Sequence, residues 1–300
     1  MGLGSRGETT KLYQKSHLSE LDNIIDSILN IYKEIQLDTG KQIESIGIGC
    51  AGLIDTEGVV RASPNILALE NFPLKEAIEE KVEVSVTVEN DANCAAWAEA
   101  QLGVAQGRSE ALVVSLGTGI GAGIILNGNL HRGGFGFAGE VGHMVVEKDG
   151  LQCPCGKQGC WEQYASGSAL GRLAQRMHED GDIPDLASKV RSGKSYVTGE
   201  LVGVAAQENH KEALQILEIF SQWVSLGIHN LVKVTDPSLI VIGGGIAEIG
   251  QPLIGAINRT FSQIANSEPH AQQVELVLAK FGNRAGSLGA ALIAIKNFSK

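Results

Sequence analysis

Between Glu140 and Glu162 the chain reads EVGHMVVEKDGLQCPCGKQGCWE. His143, Cys153, Cys155 and Cys160 place four soft or borderline donors in this stretch, the number that a closed tetrahedral zinc site takes. Two carboxylates, Glu140 and Glu162, flank the donors. A loop pinned by a metal holds such acids in fixed places, which suits a substrate site with a structural staple beneath it. A disulfide fits less well, because three close thiols leave one over and nothing in the composition points to an oxidising compartment. Three inert core cysteines fit less well again, since PCGKQGC is polar and glycine-rich.

Three other segments hold groups that could do chemistry. VENDAN, 88–93, puts Asn90 and Asp91 where a strand gives way to a helix. Ligands in open α/β sheets bind at the carboxyl ends of strands, and an Asp there can accept a hydroxyl proton; capping the helix is the plainer alternative. LGTGIGAGIILNG has alternating glycines, but the residues after them are β-like and end in an Asn127-Gly128 turn, so the helix that a dinucleotide fingerprint needs is missing. A strand–turn–strand of this kind presents backbone amides and Thr118 to an anion, or is simply a glycine-rich hairpin. VIGGGIA, 241–247, lets the backbone approach a flat ligand, or makes a tight β–α turn.

The elements that must position these groups alternate. KLYQKS, 11–16, reads as a short edge strand. Ser19 is placed to cap a helix through about Gln36 whose apolar residues, Leu21 to Ile35, form a broad face. SIGIGCAGLI, 45–54, reads as a buried strand with a glycine turn, Glu57-Gly58 as a hairpin turn, Leu74–Lys81 as a short helix and 84–90 as a strand. Asp91 opens the next helix. Strand 111–119 leads into the hairpin, and Ala165 begins a helical stretch. Residues 178–200 read as a surface excursion, and a long helix follows from His210 to Lys233. Strand 239–248, a helix from Pro252, strand 274–281 and a helix from Ala285 to Ile295 complete the chain. Apolar strands alternating with helices argue for α/β architecture with covered sheets.

Composition narrows the function classes. Three hundred residues with 43% hydrophobic content build a large core. A net charge of −10 argues against nucleic acid and anionic membranes as partners. No run reaches the roughly 18 apolar residues of a membrane helix, and the start has no signal-type apolar run, so a cytoplasmic location is expected. Cys50 and Cys94 read as buried thiols.

Taken together, GIGCAGLID, SPN, VENDANCAAWAE, LGTGIGAGI, AGEVGH, CPCGKQGCWEQYASG and VIGGGIA resemble the ROK family of sugar kinases, most closely its actinobacterial-type glucokinases, over about residues 11–298. The resemblance implies an actin-like, ribonuclease H-like α/β fold of two lobes around a cleft. Residues 1–90 plus 288–300 would form the small N-terminal lobe, and 91–287 the large C-terminal lobe with the zinc loop 143–160. It implies ATP with Mg2+ as donor, glucose as acceptor, a structural Zn2+, and a homodimer or homotetramer. Asp91 would be the catalytic base, with Asn65, Asn90, Asp91, Glu140, His143 and Glu162 holding the sugar. Gly117, Thr118 and Gly119 would face the phosphates, and Gly243, Gly244 and Gly245 the adenosine. His143 would serve both metal and sugar. N-acetylmannosamine or another hexose is the alternative substrate, and a sugar-sensing regulator the alternative class. The family begins with an apolar strand and D-x-G-G-T-K, a motif that MGLGSRGETTKLYQKS does not contain. That implies an incomplete N-terminal lobe, from a start assigned too late or from loss. Its open edge would lie beside strands such as 45–50, and its grip on sugar and zinc would exceed its power to transfer phosphate.

Overall fold

A computed structural model describes residues 1–3, 20–64, 66–189 and 196–298. The proposed strand at 11–16, the capping Ser19 and the sugar ligand Asn65 lie outside the described residues.

The first half contains α1 (Leu21–Thr39), β1 (Ser45–Cys50), β2 (Leu53–Ile54), β3 (Val60–Ala62), α2 (Leu74–Glu79), β4 (Ser85–Asn90) and α3 (Asp91–Leu102). Next come β5 (Ala111–Leu116), β6 (Ile120–Leu126), β7 (Asn129–His131), α4 (Glu162–Ala165), α5 (Gly167–Glu179), α6 (Pro184–Ala187) and α7 (Gly199–Gln207). Then follow α8 (Lys211–Thr235), β8 (Leu239–Gly243), α9 (Gln251–Ile264), β9 (Glu275–Leu278) and α10 (Ala285–Phe298).

The larger sheet runs β7-β6-β5-β8-β9, with β5, β8 and β9 parallel and the β5–β6–β7 meander antiparallel. Asn127 and Gly128 both take positive φ, 50° and 70°, as a two-residue hairpin turn between twisted strands requires. Every residue of β8 is buried, because helices cover both faces of this sheet. One face packs on α5, α7, α8 and α9 through residues such as Leu170, Val202, Phe220 and Ile257, and the other on α3 and α10 through Trp97 and Ile293.

The parallel pair β1–β4 and the hairpin β2–β3 form a separate small core with α1 and α2, built on Ile25, Ile54, Leu74 and Val88. Here the burial expected of 45–54 is not met. β1 is half-exposed over most of its length, because β4 is its only sheet neighbour among the described residues. β1 also borders a groove of about 550 Å³ lined by α1, α10 and Met1 to Leu3. The expected glycine turn falls at Gly52, whose φ of 130° separates β1 from β2 and where a Cβ would lie 2.1 Å from the Ala62 carbonyl oxygen.

Several boundaries differ from the sequence expectation. α1 runs on to Thr39 and stops at Gly40 in the left-handed conformation. Ala165 closes α4 rather than opening a helix; Ser166 then caps α5 by accepting the Ala169 N–H. The expected surface excursion from 178 begins inside α5 and contains α6. Strand β9 is shorter than 274–281, and α10 reaches Phe298. α3 and α10 cross closely enough that a Cβ on Gly289 would lie 1.7 Å from the Cys94 carbonyl oxygen. This crossing connects the β1–β4 layer to the five-stranded sheet and sets one wall of the site.

Candidate active site

β4 delivers Asn90 and Asp91 at its carboxyl end. Asn90 caps α3, its Oδ1 accepting the Ala92 and Asn93 N–H groups at 2.9 and 3.0 Å, while its Nδ2 donates to the Gly52 carbonyl at 3.0 Å. The cap therefore falls to Asn90, and Asp91 stands exposed at the first helical position with Oδ1 accepting the Ala92 N–H at 2.9 Å. A carboxylate at a helix N-terminus is favoured by the dipole.

The donor cluster forms as the sequence spacing implied. One donor atom each from His143, Cys153, Cys155 and Cys160 lies within 4.8 Å of the others. Cys155 Sγ and Cys160 Sγ are 3.6 Å apart, and Cys153 Sγ is 3.8 Å from His143 Nδ1. Sulfurs bound about 2.3 Å from one tetrahedral centre sit about 3.8 Å apart, so the set fits zinc. The turn between ligands is held by the backbone, with Cys153 N–H donating to Lys157 O and Gly159 N–H to Leu151 O, both at 2.8 Å. Behind it, the buried Trp161 ring lies against α8, where a Cβ on Gly227 would sit 2.0 Å from the indole. Trp161 Nε1 donates to the Trp223 carbonyl at 2.8 Å, and Tyr164 stacks on Trp223 with ring centroids 4.4 Å apart. The metal loop is thus docked on the long helix.

This docking fixes both flanking acids. Glu162 opens α4, and its Oε2 accepts the Ile120 N–H at 3.0 Å, tying the metal loop to the start of β6. His143 turns Nδ1 to the cysteines and leaves Nε2 4.0 Å from Glu140 Oε2. The confinement of Glu140 by the cleft walls pushes its carboxyl above the ordinary range; His143 opposes this, while Asp91 and Glu162 add to it by like-charge repulsion. Glu140 thus lies near enough to Asp91 and Glu162 to feel their charges, with His143 beside it.

The glycine turn after β5 forms the next wall. Gly117 carbonyl accepts the Gly167 N–H at 2.7 Å, and Ser168 Oγ donates to Thr118 O at 2.9 Å, so the turn is docked on the start of α5. Gly117, Thr118 and Gly245 line a cleft of about 760 Å³ with Gly167, Ser168 and Gly199. Gly119 instead faces Glu162, whose Oε2 would be 2.2 Å from a Cβ there. Gly243 ends β8 in the core, and Gly244, with φ 82°, lies against the Leu116 backbone. Sequence reasoning missed Gly167, Ser168, Gly199, Gln207 and Glu248 as cleft residues. The small-residue run after Tyr164 signalled only Gly167 and Ser168.

The ROK family model matches residues 5–297. The chain belongs to the ROK family. It is 36% identical over 274 residues to a glucokinase of Streptomyces coelicolor, covering 90% of this chain and 86% of that protein. It is 32% identical over 258 residues to the xylose repressor of Bacillus subtilis, covering 84% of this chain and 61% of the repressor. The ROK glucokinase of Streptomyces griseus, solved with glucose and AMPPNP, superposes with a TM-score of 0.86 at 33% identity, over 98% of this chain and 94% of that one. The α/β architecture is accordingly the actin-like, two-lobed fold of ROK sugar kinases. Among the described residues no helix is long and apolar enough to cross a membrane.

Proposed function

We propose that this ROK protein is a glucokinase, transferring the γ-phosphoryl group of ATP to the 6-hydroxyl of glucose. The reading is supported by the nearness of the Asp91 and Glu162 charges to Glu140 and by the glycine turn 117–119, which is bonded to Glu162 through Ile120. A hexose is uncharged and rich in hydroxyls. Paired acceptors on neighbouring hydroxyls recognise it, and a wrong epimer leaves them unpaired. Glu140 and Glu162 supply such acceptors; His143, with Nδ1 turned to the metal site, offers Nε2–H as a donor, and Asn90 and Asn65 are assigned to the sugar beside them. The lobes are taken to be 1–90 with 288–300, and 91–287.

In the reaction the 6-hydroxyl O–H bond breaks and its proton passes to the Asp91 carboxylate. The freed oxygen forms the new O–P bond, the bond from the γ-phosphorus to the bridging oxygen breaks, and ADP leaves. Phosphoryl transfer of this kind needs positioning and charge stabilisation rather than a covalent intermediate. Of the turn residues, Gly117 and Thr118 are assigned to the phosphates and Gly245 to the adenosine side, since these line the cleft; Gly119, Gly243 and Gly244 shape the turns that carry them. Magnesium, entering with the triphosphate, would neutralise its oxygens. Zinc on His143, Cys153, Cys155 and Cys160 is structural: four protein donors leave no open position for substrate.

The test is ATP-dependent glucose 6-phosphate formation by the wild type and Asp91→Asn, across glucose, mannose and N-acetylmannosamine. Turnover on glucose that Asp91→Asn abolishes, with glucose still bound, is the expected result. Faster turnover on another hexose moves the substrate assignment, and the absence of turnover on any sugar overturns the kinase reading. The similarity to a xylose repressor supports a second reading, a non-catalytic sugar-responsive protein. Sugar binding without phosphoryl transfer by the wild type would select it.

A further inference from the structure

Beneath Asp91 lies a charged pair that no step above uses. Glu89, the residue before Asn90, is 4% exposed. Its Oε1 accepts the Asn90 backbone N–H at 3.0 Å and the Asn93 Nδ2 at 2.9 Å. Its Oε2 accepts a hydrogen bond from Arg132 Nε, which makes an ion pair. One carboxylate thus grips the residues on either side of Asp91 and a cation from beyond β7. The grip fixes the amide of Asn93 as well. An ionised carboxylate only accepts, so Asn93 must turn its NH2 towards Glu89. Its Oδ1 is then left buried with no partner among the described residues.

Arg132 holds the other half of the site. Its carbonyl accepts the Ala138 N–H at 3.1 Å, closing the loop that leads to Glu140. Gly139, the next residue, is pressed on β6: its carbonyl accepts the Ala122 N–H at 3.1 Å, and a Cβ on it would lie 2.1 Å from Ala122 O. That Cβ would also come within 4.0 Å of the orphaned Asn93 Oδ1. The turn carrying Asp91 and the loop carrying Glu140 are therefore tied through Glu89 and Arg132.

We propose that Glu89 and Arg132 are positioning residues for the transfer, their ion pair fixing the Asp91 turn against the loop that presents Glu140. This rests on the reading of Asp91 as the base. Breaking the pair removes no sugar-contacting side chain but lets the two halves move relative to each other. Hydroxyl recognition by several acceptors tolerates such a shift better than the in-line approach of oxygen to phosphorus does.

The experiment compares wild type, Glu89→Gln, Arg132→Ala and Arg132→Lys, with Arg108→Ala, from the exposed Arg108–Glu275 pair, as control. Steady-state kinetics with glucose and ATP and amide hydrogen exchange across 88–94 and 132–141 are measured on the full chain. Arg132→Ala and Glu89→Gln should lower kcat about 10- to 100-fold, the scale of an ångström-sized misplacement, with KM for glucose moving about three-fold or less. Arg132→Lys, which keeps a cation without the planar fork, should recover part of kcat. Exchange should quicken in both segments together. A kcat at wild-type level, or faster exchange in one segment alone, overturns the proposal. If the wild type phosphorylates no sugar, the reading of Asp91 fails, and the exchange result still decides whether the pair couples the two segments.

Discussion

Replacing Glu162 by Gln should weaken glucose binding while leaving the fold intact. Glu162 Oε2 is held by the Ile120 N–H at 3.0 Å, in a slot that exists because residue 119 has no Cβ. A glutamine can keep its carbonyl oxygen in that slot. The change then falls on the other position, Oε1, which has no hydrogen-bond partner among the described residues; there an acceptor becomes an NH2 donor. Two effects compete. A hydroxyl proton left facing a donor costs about 1–3 kcal/mol. Removing one charge from the group of Asp91, Glu140 and Glu162 relieves repulsion, but solvent-exposed charge pairs are worth only about 0.2–1 kcal/mol. Loss of the acceptor wins over most of this range, and the glucose Kd should rise, by up to about 100-fold. The same substitution should lower the raised pKa of Glu140, because the like-charge push of Glu162 disappears. Calorimetric titration with glucose measures the affinity, and a thermal melt checks the fold. Gly119→Ala, which drives a methyl against the same oxygen, should reproduce the loss. Glucose affinity unchanged in Glu162→Gln would remove this residue from the sugar site and refute the slot argument.

Purified protein should contain one zinc per chain. Cys155→Ser, or chelation, should release it and weaken glucose binding too, because the loop holds Glu140 and Glu162; protein free of zinc with all thiols reactive would refute this by elemental analysis. Gly227→Ala puts a methyl 2.0 Å from the Trp161 indole and should destabilise the fold by about 1–3 kcal/mol through overpacking, read from urea unfolding. Burial pushes the Cys50 thiol to about 11, with the Asp91 charge adding, and Cys94 is also raised well above 9.0, first by burial and then by Glu89 and Asp91. A thiol whose folded pKa is raised contributes its full stability below the ordinary 9.0 and loses it as pH climbs towards about 11. Stability should therefore decline on that alkaline limb, and Cys50→Ala should flatten the decline; an identical limb in the variant would contradict the assignment. At pH 8 with the metal removed, an aromatic disulfide reagent should titrate the exposed Cys155 first, and the buried Cys50, Cys94, Cys153 and Cys160 more slowly.

What could be read from the sequence was what lies close together in it. The four zinc donors span a single short loop, and their spacing already implied the cluster found. The Asn127-Gly128 turn and the strand-to-helix step at Asp91 were legible for the same reason. The burial of β1 was not, because an apolar run shows that a strand wants neighbours but not how many it has; here β4 alone pairs with it among the described residues. The glycines show a second limit. Gly119 and Gly244 have the composition of a phosphate turn, yet one leaves a slot for Glu162 and the other allows β8 to pass Leu116. A missing side chain is the same letter whether it makes room for a ligand or for a neighbour. The site itself depends on contacts that no local pattern records. Ile120 and Glu162 are 42 residues apart, and Glu89 and Arg132 are 43. Each of these pairs joins an element bearing one acid of the site to an element bearing another wall of it. The sequence could thus name candidate reacting groups, whereas the distances among them are set by residues whose own chemistry is unremarkable. Substitutions at Glu89 or Arg132 should for that reason change the rate without changing which sugar is chosen, while those at Glu140 or Glu162 should change the choice.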